Sequence, residues 1–143
     1  MIILRGIPGS GKSTLVRERW PSAYVCSTDH FFDKDGEYKF DVTKLGEAHG
    51  SCMRRFIEGV QAGIVGEVVV DNTNTGLAEI APYVAVAQAY GRDVSIVQIE
   101  ADVETCIARG THGVPAETVR RMAEWMGKST LPPFWPKPEI VRR

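Results

Sequence analysis

Apolar and polar residues along this chain alternate between strand-like runs and helix-like stripes. Ile2–Arg5 is a short apolar run and predicts a first strand, followed by a helical stretch from about Thr14 to Trp20. Ala23–Ser27 predicts a second strand. From Thr43 to about Ala62, the residues Leu45, Ala48, Cys52, Phe56 and Val60 form one stripe. Glu47, Arg54 and Glu58 fall on the other side, the pattern of a long amphipathic helix with Thr43 as its N-cap. Glu67–Asp71 predicts a third strand, because Val68-Val69-Val70 is the continuous apolar run of a buried parallel strand. Gly76 to Tyr90 reads as a helix with Leu77, Ile80, Ala81 and Val84 on one face, ended by Gly91. Val94–Ile99 is the fourth predicted strand. Asp102 caps a short helix to about Arg109, and Pro115 opens another that buries Val119, Met122, Ala123 and Met126. Beyond Gly127, Pro132, Pro133, Pro136 and Pro138 exclude a helix and predict an extended tail lying on the domain.

Strands alternating with helices predict an α/β fold in three layers, a parallel sheet with helices on both faces. In such sheets ligands bind beyond the carboxyl ends of the strands. Three of the predicted strands end there in polar residues. The first runs into Gly6-Ile7-Pro8-Gly9-Ser10-Gly11-Lys12-Ser13-Thr14, the second into Ser27-Thr28-Asp29, and the third into Asp71-Asn72-Thr73-Asn74. These ends converge on one edge and define the expected site.

Composition narrows the picture without changing it. The 143 residues make one domain, and 43% apolar with 24% charged residues is ordinary for a globular chain. A net charge of −1 supplies no global field for nucleic acid, so any such contact needs a local patch. Lys39, Arg54 and Arg55 are the candidates for it. Cys26, Cys52 and Cys106 are odd in number, widely spaced and set in apolar segments, as reduced core residues are. With no signal peptide and no apolar run long enough for a membrane, the expected location is cytoplasmic. The oligomeric state is left open.

The first polar strand end matches G-x-x-x-x-G-K-S, the P-loop pattern, in the strand-to-helix context it requires. Gly9, Ser10, Gly11, Lys12, Ser13 and Thr14 are therefore the expected nucleotide-binding residues. Backbone N–H groups form an anion nest, the helix adds its positive dipole end, and Lys12 supplies a charge for the β- and γ-phosphates. The Ser13 hydroxyl is placed to ligate Mg²⁺. Asp71 closes an apolar strand, either to hold Mg²⁺ or to shape an Asx turn. Asp29 either accepts the proton of an attacking hydroxyl or caps a helix. Arg109 is either a phosphate-reaching arginine or a solvated cation at a helix end. It opens the segment Arg109, Thr111, His112 and Gly113, in which His112 either contacts the nucleotide or is structural. Asn72, Thr73 and Asn74 either hold substrate or fix the loop, and Phe31 and Phe32 either stack on a base or pack. His49, beside the apolar stripe, reads as structural, and Arg120 and Arg121 as the start of a solvated face.

Together these motifs resemble the polynucleotide 5′-kinase-like branch of P-loop kinases, over nearly the whole chain to about residue 127. The resemblance to kinase domains of the Nedd4-binding-protein-2 group takes in Ser27-Thr28-Asp29-His30-Phe31-Phe32 and Gly36-x-Tyr38-x-Phe40. It continues through Glu47-Ala48-His49, Val70-Asp71-Asn72-Thr73-Asn74 and Pro82-Tyr83, to Arg109 and His112-Gly113-Val114-Pro115. It implies a P-loop kinase fold with a parallel sheet of four to five strands. The kinase domain is 1–128 with a small helical lid at about 109–115, and 129–143 is a proline-rich tail. It further implies Asp29 as general base beside the incoming 5′-hydroxyl, Arg109 as lid arginine, and Ser13 and Asp71 with Mg²⁺. Phe32 stands where phage-type members carry a basic residue. The implied reaction moves the γ-phosphoryl of ATP, or GTP, to a 5′-hydroxyl end of DNA or RNA. The alternatives are a kinase acting on a small molecule or nucleotide sugar, and a non-catalytic ATP-binding switch.

Overall fold

A computed structural model describes residues 1–63 and 66–143, with Lys34 and Thr111 described by their backbone alone. Its sheet contains β1 (Ile2–Arg5), β2 (Tyr24–Cys26), β5 (Val68–Val70), β6 (Ser95–Glu100) and β7 (Glu139–Arg142). All pairs are parallel, in the order β2-β5-β1-β6-β7. Between them run α1 (Lys12–Arg19), α2 (Asp29–Phe32), α3 (Leu45–Gln61), α4 (Leu77–Ala89), α5 (Val103–Ala108) and α6 (Ala116–Lys128). The two remaining strands, β3 (Asp33–Lys34) and β4 (Glu37–Tyr38), pair antiparallel as a small hairpin.

The alternation of side chains along β1 divides the core into two layers. Ile3 joins Val68, Val70 and Ile96 against Phe56 and Val60 of α3 and Ile80 and Val84 of α4. Ile2 and Leu4 join Val69, Val97 and Ile99 against Leu15 and Val16 of α1. Burial on both faces is why β5 carries three valines in a row, all fully buried. A third cluster joins Ile7 of the P-loop to Cys106 of α5 and Val119 of α6. α5 and α6 are thereby rooted in the P-loop.

In three places the local structure goes beyond or against the expectation. Thr43 does not cap α3; Asp41 accepts from the Thr43 N–H (2.9 Å) and hydroxyl (2.6 Å) and starts a 3-10 turn, Val42–Lys44, that precedes it. The hairpin β3–β4 lies in a stretch for which the sequence predicts no element. The tail does pack on the domain, with Leu131 and Trp135 against the α3/α4 layer, but it then forms β7. Glu139–Arg142 has no strand signature of its own; it is an edge strand whose register, Val97↔Glu139 to Glu100↔Arg142, is set by β6.

Candidate active site

The order of the sheet puts β1 between β5 and β6, and the P-loop leaves β1 at this switch point. Its backbone is held by its surroundings. The Gly6 N–H donates to the Thr73 carbonyl (2.9 Å), and Gly9 has φ 78 with no room for a side chain. A Cβ on Gly9 would stand 2.3 Å from the Cys106 carbonyl oxygen. Gly11, at φ 90, is the N-cap of α1. Lys12 curls over the loop and its Nζ donates to the carbonyls of Gly6 (2.9 Å) and Ile7 (3.0 Å). Desolvation pulls the ammonium pKa down, while the nearby charges of Asp71 and Asp29 raise it.

A cleft of about 1010 Å³ opens over the loop. Its walls include Gly9, Gly11, Lys12, Ser13, Thr14, Asp29, Asp71, Asn72, Thr73, Asn74, Arg109 and His112, so nearly all the expected residues share one cavity. Ser10 and Phe32 are the exceptions. Ser10 is fully buried with its Oγ unpaired, so its side chain lies beneath the loop. Phe32 is buried against Phe31, Tyr38 and Phe40, with ring centroids 5.3, 6.2 and 5.1 Å away. It is the core of the hairpin and not a substrate contact, because three aromatic rings cover it.

Asp71 follows β5 at 9% exposure. Its Oδ1 is buried without a partner, and the Ser13 side chain lies beside the carboxyl. Burial pushes its pKa up, against the opposing pull of Ser13 and Lys12. An orphaned carboxylate oxygen beside a hydroxyl is a hard-oxygen donor pair that suits Mg²⁺, which takes few protein ligands when phosphates supply others. Among the described residues no cluster of three or more His, Cys, Asp or Glu offers a self-sufficient metal cage.

Asn72 and Asn74 act on the scaffold. Asn72 Oδ1 accepts from the Thr28 N–H (2.9 Å) and hydroxyl (3.1 Å), and its Nδ2 reaches Cys52 and Tyr83. Asn74, at φ 47, donates to the Leu4 carbonyl at 2.7 Å. These bonds lock the ends of β2, β5 and β1 together. Asp29 opens α2 and does not cap it, since Thr28 is the N-cap. Its carboxylate accepts instead from the Tyr38 hydroxyl at 3.1 Å and lies 3.5 Å from His112 Nε2. Arg109 reaches back from the end of α5 to donate to the Gly9 carbonyl at 2.7 Å.

Several residues line the cleft that were not expected there. His49, expected to be structural, is exposed on the cleft wall, and Arg121, expected on a solvated face, lines it too. Arg143 comes in beside Gly11 because β7 delivers it there, and it pairs with Glu18 of α1. With Lys12, Arg17 and Arg109 these two make the lining basic, against Asp29, Asp71 and Glu79. The local positive patch is therefore in the cleft. The basic residues expected to form it are elsewhere: Lys39 pairs with Glu37 at 2.9 Å, and Arg55 donates to the Val25 carbonyl and covers the Tyr24 ring. Neither these nor Arg54 lines the cleft.

A five-stranded parallel sheet with a P-loop at its switch point and helices on both faces defines a P-loop kinase fold. The chain belongs to the AAA domain family AAA_33, which matches residues 1–128. Human NEDD4-binding protein 2 is 38% identical over 131 residues, covering 87% of this chain and 7% of that protein. The chain thus spans a small part of that relative. In shape it is similar to a chain of the Pnkp1/Rnl/Hen1 RNA repair complex. That match has TM-score 0.73 at 20% identity and covers 90% of this chain and 44% of that one. It is also similar to the Mycobacterium tuberculosis APS kinase CysC in complex with AMPPNP and APS. Here the TM-score is 0.62 at 20% identity, with 99% and 86% covered.

Proposed function

We propose that this domain is an ATP-dependent kinase that transfers the γ-phosphoryl group to the 5′-hydroxyl end of a polynucleotide, and that it works in the cytoplasm. The observation that carries the reading is that Asp29 opens into the same cleft as the P-loop, with Arg109 and a basic lining around them. Gly9 to Thr14 would cradle the triphosphate, with Lys12 turning from the loop carbonyls to the phosphates. Ser13 and Asp71 would hold Mg²⁺, which when bound neutralises charge on the phosphate oxygens. The acceptor hydroxyl oxygen forms a bond to the γ-phosphorus as the bond to the β–γ bridging oxygen breaks. ADP leaves, and the hydroxyl proton passes to the Asp29 carboxylate. Arg109 would add positive charge to the transferring group.

The test is transfer of labelled γ-phosphate from ATP with Mg²⁺ to a 5′-hydroxyl oligonucleotide. Wild type should label the oligonucleotide. Asp29→Asn should bind ATP normally and transfer ~10²–10⁴ more slowly. Equal loss of ATP binding in that variant would remove Asp29 from the base role. A small-molecule acceptor is the second reading. It is favoured by the absence of Lys39, Arg54 and Arg55 from the cleft and by the fold shared with APS kinase across 99% of this chain. Label on no oligonucleotide, with ATP still bound, would select it.

A further inference from the structure

A general base must present one oxygen to the acceptor, in line with the phosphate, and must not rotate away. Asp29 is poorly placed to do this alone. It sits on a helix of only four residues, and its side chain is 46% exposed. Helices this short are not stable by themselves. What holds the carboxylate is the hairpin that follows. Tyr38 ends β4, paired with Asp33 of β3, so that its ring returns over α2 and meets the buried Phe32 edge-on. From there its hydroxyl donates to Asp29 Oδ1 at 3.1 Å.

We propose that Tyr38 is the positioning residue of Asp29: it fixes Oδ1 and leaves Oδ2 as the oxygen that meets the acceptor hydroxyl. This rests on the kinase reading above. Oδ2 faces the lid, where His112 Nε2 stands 3.5 Å away, too far for a strong hydrogen bond and near enough to be displaced by an incoming hydroxyl. The His112 ring lies over Tyr38, with centroids 4.1 Å apart and planes 32° from parallel. Its backbone takes φ 55, the left-handed region, to put it there. Tyr38 therefore touches both the base and the lid that covers it. Burial and the adjacent carboxylate push the phenol pKa up, so the hydroxyl keeps the proton it donates.

Tyr38→Phe keeps the ring, its packing on Phe32 and its stack on His112, and removes only the hydroxyl. In γ-phosphate transfer to a 5′-hydroxyl oligonucleotide it should lower kcat by ~10-fold to 10²-fold, the range of a slightly misplaced reacting group, while the KM for ATP stays within about 2-fold. In the Asp29→Asn background the same substitution should cost nothing further, because there is no base left to position. An undiminished kcat in Tyr38→Phe, or an equal loss in both backgrounds, overturns the proposal. A second readout needs no acceptor: the ζ-carbon NMR resonance of Tyr38, identified by its disappearance in Tyr38→Phe. Asp29→Ala should shift it at neutral pH, and an unmoved resonance would mean that the hydroxyl does not bond Asp29. If wild type labels no oligonucleotide, the polynucleotide reading fails by itself and the resonance still decides the role of Tyr38.

Discussion

Asp71 stands at the end of β5 with one oxygen orphaned and its pKa raised by burial. A site that needs an ionised acid in a desolvated place carries that acid at a cost in stability. The ordinary carboxyl value is 3.8, and the folded value lies above it. As pH rises past 3.8 the unfolded chain gives up its proton first, while the folded chain retains it. Asp71 thus makes the fold lose stability with rising pH, up to its folded midpoint. Asp71→Asn should raise the melting temperature at neutral pH and abolish transfer. A lower melting temperature would mean that the attraction to Lys12 outweighs the desolvation. Lys12, Ser13, Asp71 and Asp29 could be singled out because each stands in the P-loop or at a strand end, and Arg109 because it closes a helix before a short loop; all five line one cleft. Tyr38 was not singled out. It sits within a recognised motif, yet its partner is nine positions away and is reached only through a hairpin that two strand residues on each side hold together.

At the scale of elements, the P-loop is shaped as much by α5 as by its own glycines. The Cys106 carbonyl occupies the space a Cβ on Gly9 would need, and the φ of 78 is unfavourable for any L side chain by roughly 1–2 kcal/mol. Gly9→Ala should therefore push the P-loop and α5 apart and weaken ATP binding by at least ~10-fold, read by titration with a fluorescent ATP analogue; binding at wild-type strength would show that α5 can yield. Among elements, β1, β5 and the long helices were readable because apolar period and burial agree. β7 was not: Glu139, Ile140 and Arg142 are exposed, so no stripe marks it. Its strand conformation comes from the free edge of β6, and it is through this pairing that Arg143 reaches the P-loop.

Across the whole molecule, Arg5 joins the sheet to α4, α6 and the start of the tail. It is only 3% exposed at the end of β1, and its guanidinium donates to Gln98 and to the carbonyls of Thr75, Met126 and Ser129. One side chain thus ties β1 and β6 to the start of α4 and to the end of α6. Arg5→Met would leave those carbonyls without a donor and should destabilise the fold by ~3 kcal/mol, measured by urea unfolding. A loss below ~1 kcal/mol would mean that water replaces the guanidinium. The sequence by itself determined the order of β1, β2, β5 and β6 and of the helices α1 and α3 to α6, the P-loop and the three polar strand ends, because hydrophobic period and glycine spacing are local properties of the chain. Only the tertiary structure decided that Phe32 packs while Tyr38 reaches Asp29. It also decided that Asn72 and Asn74 bind the sheet ends, that the basic patch lies in the cleft, and that the tail completes the sheet. Each of these depends on which distant groups compete for one buried space or one unpaired hydrogen bond.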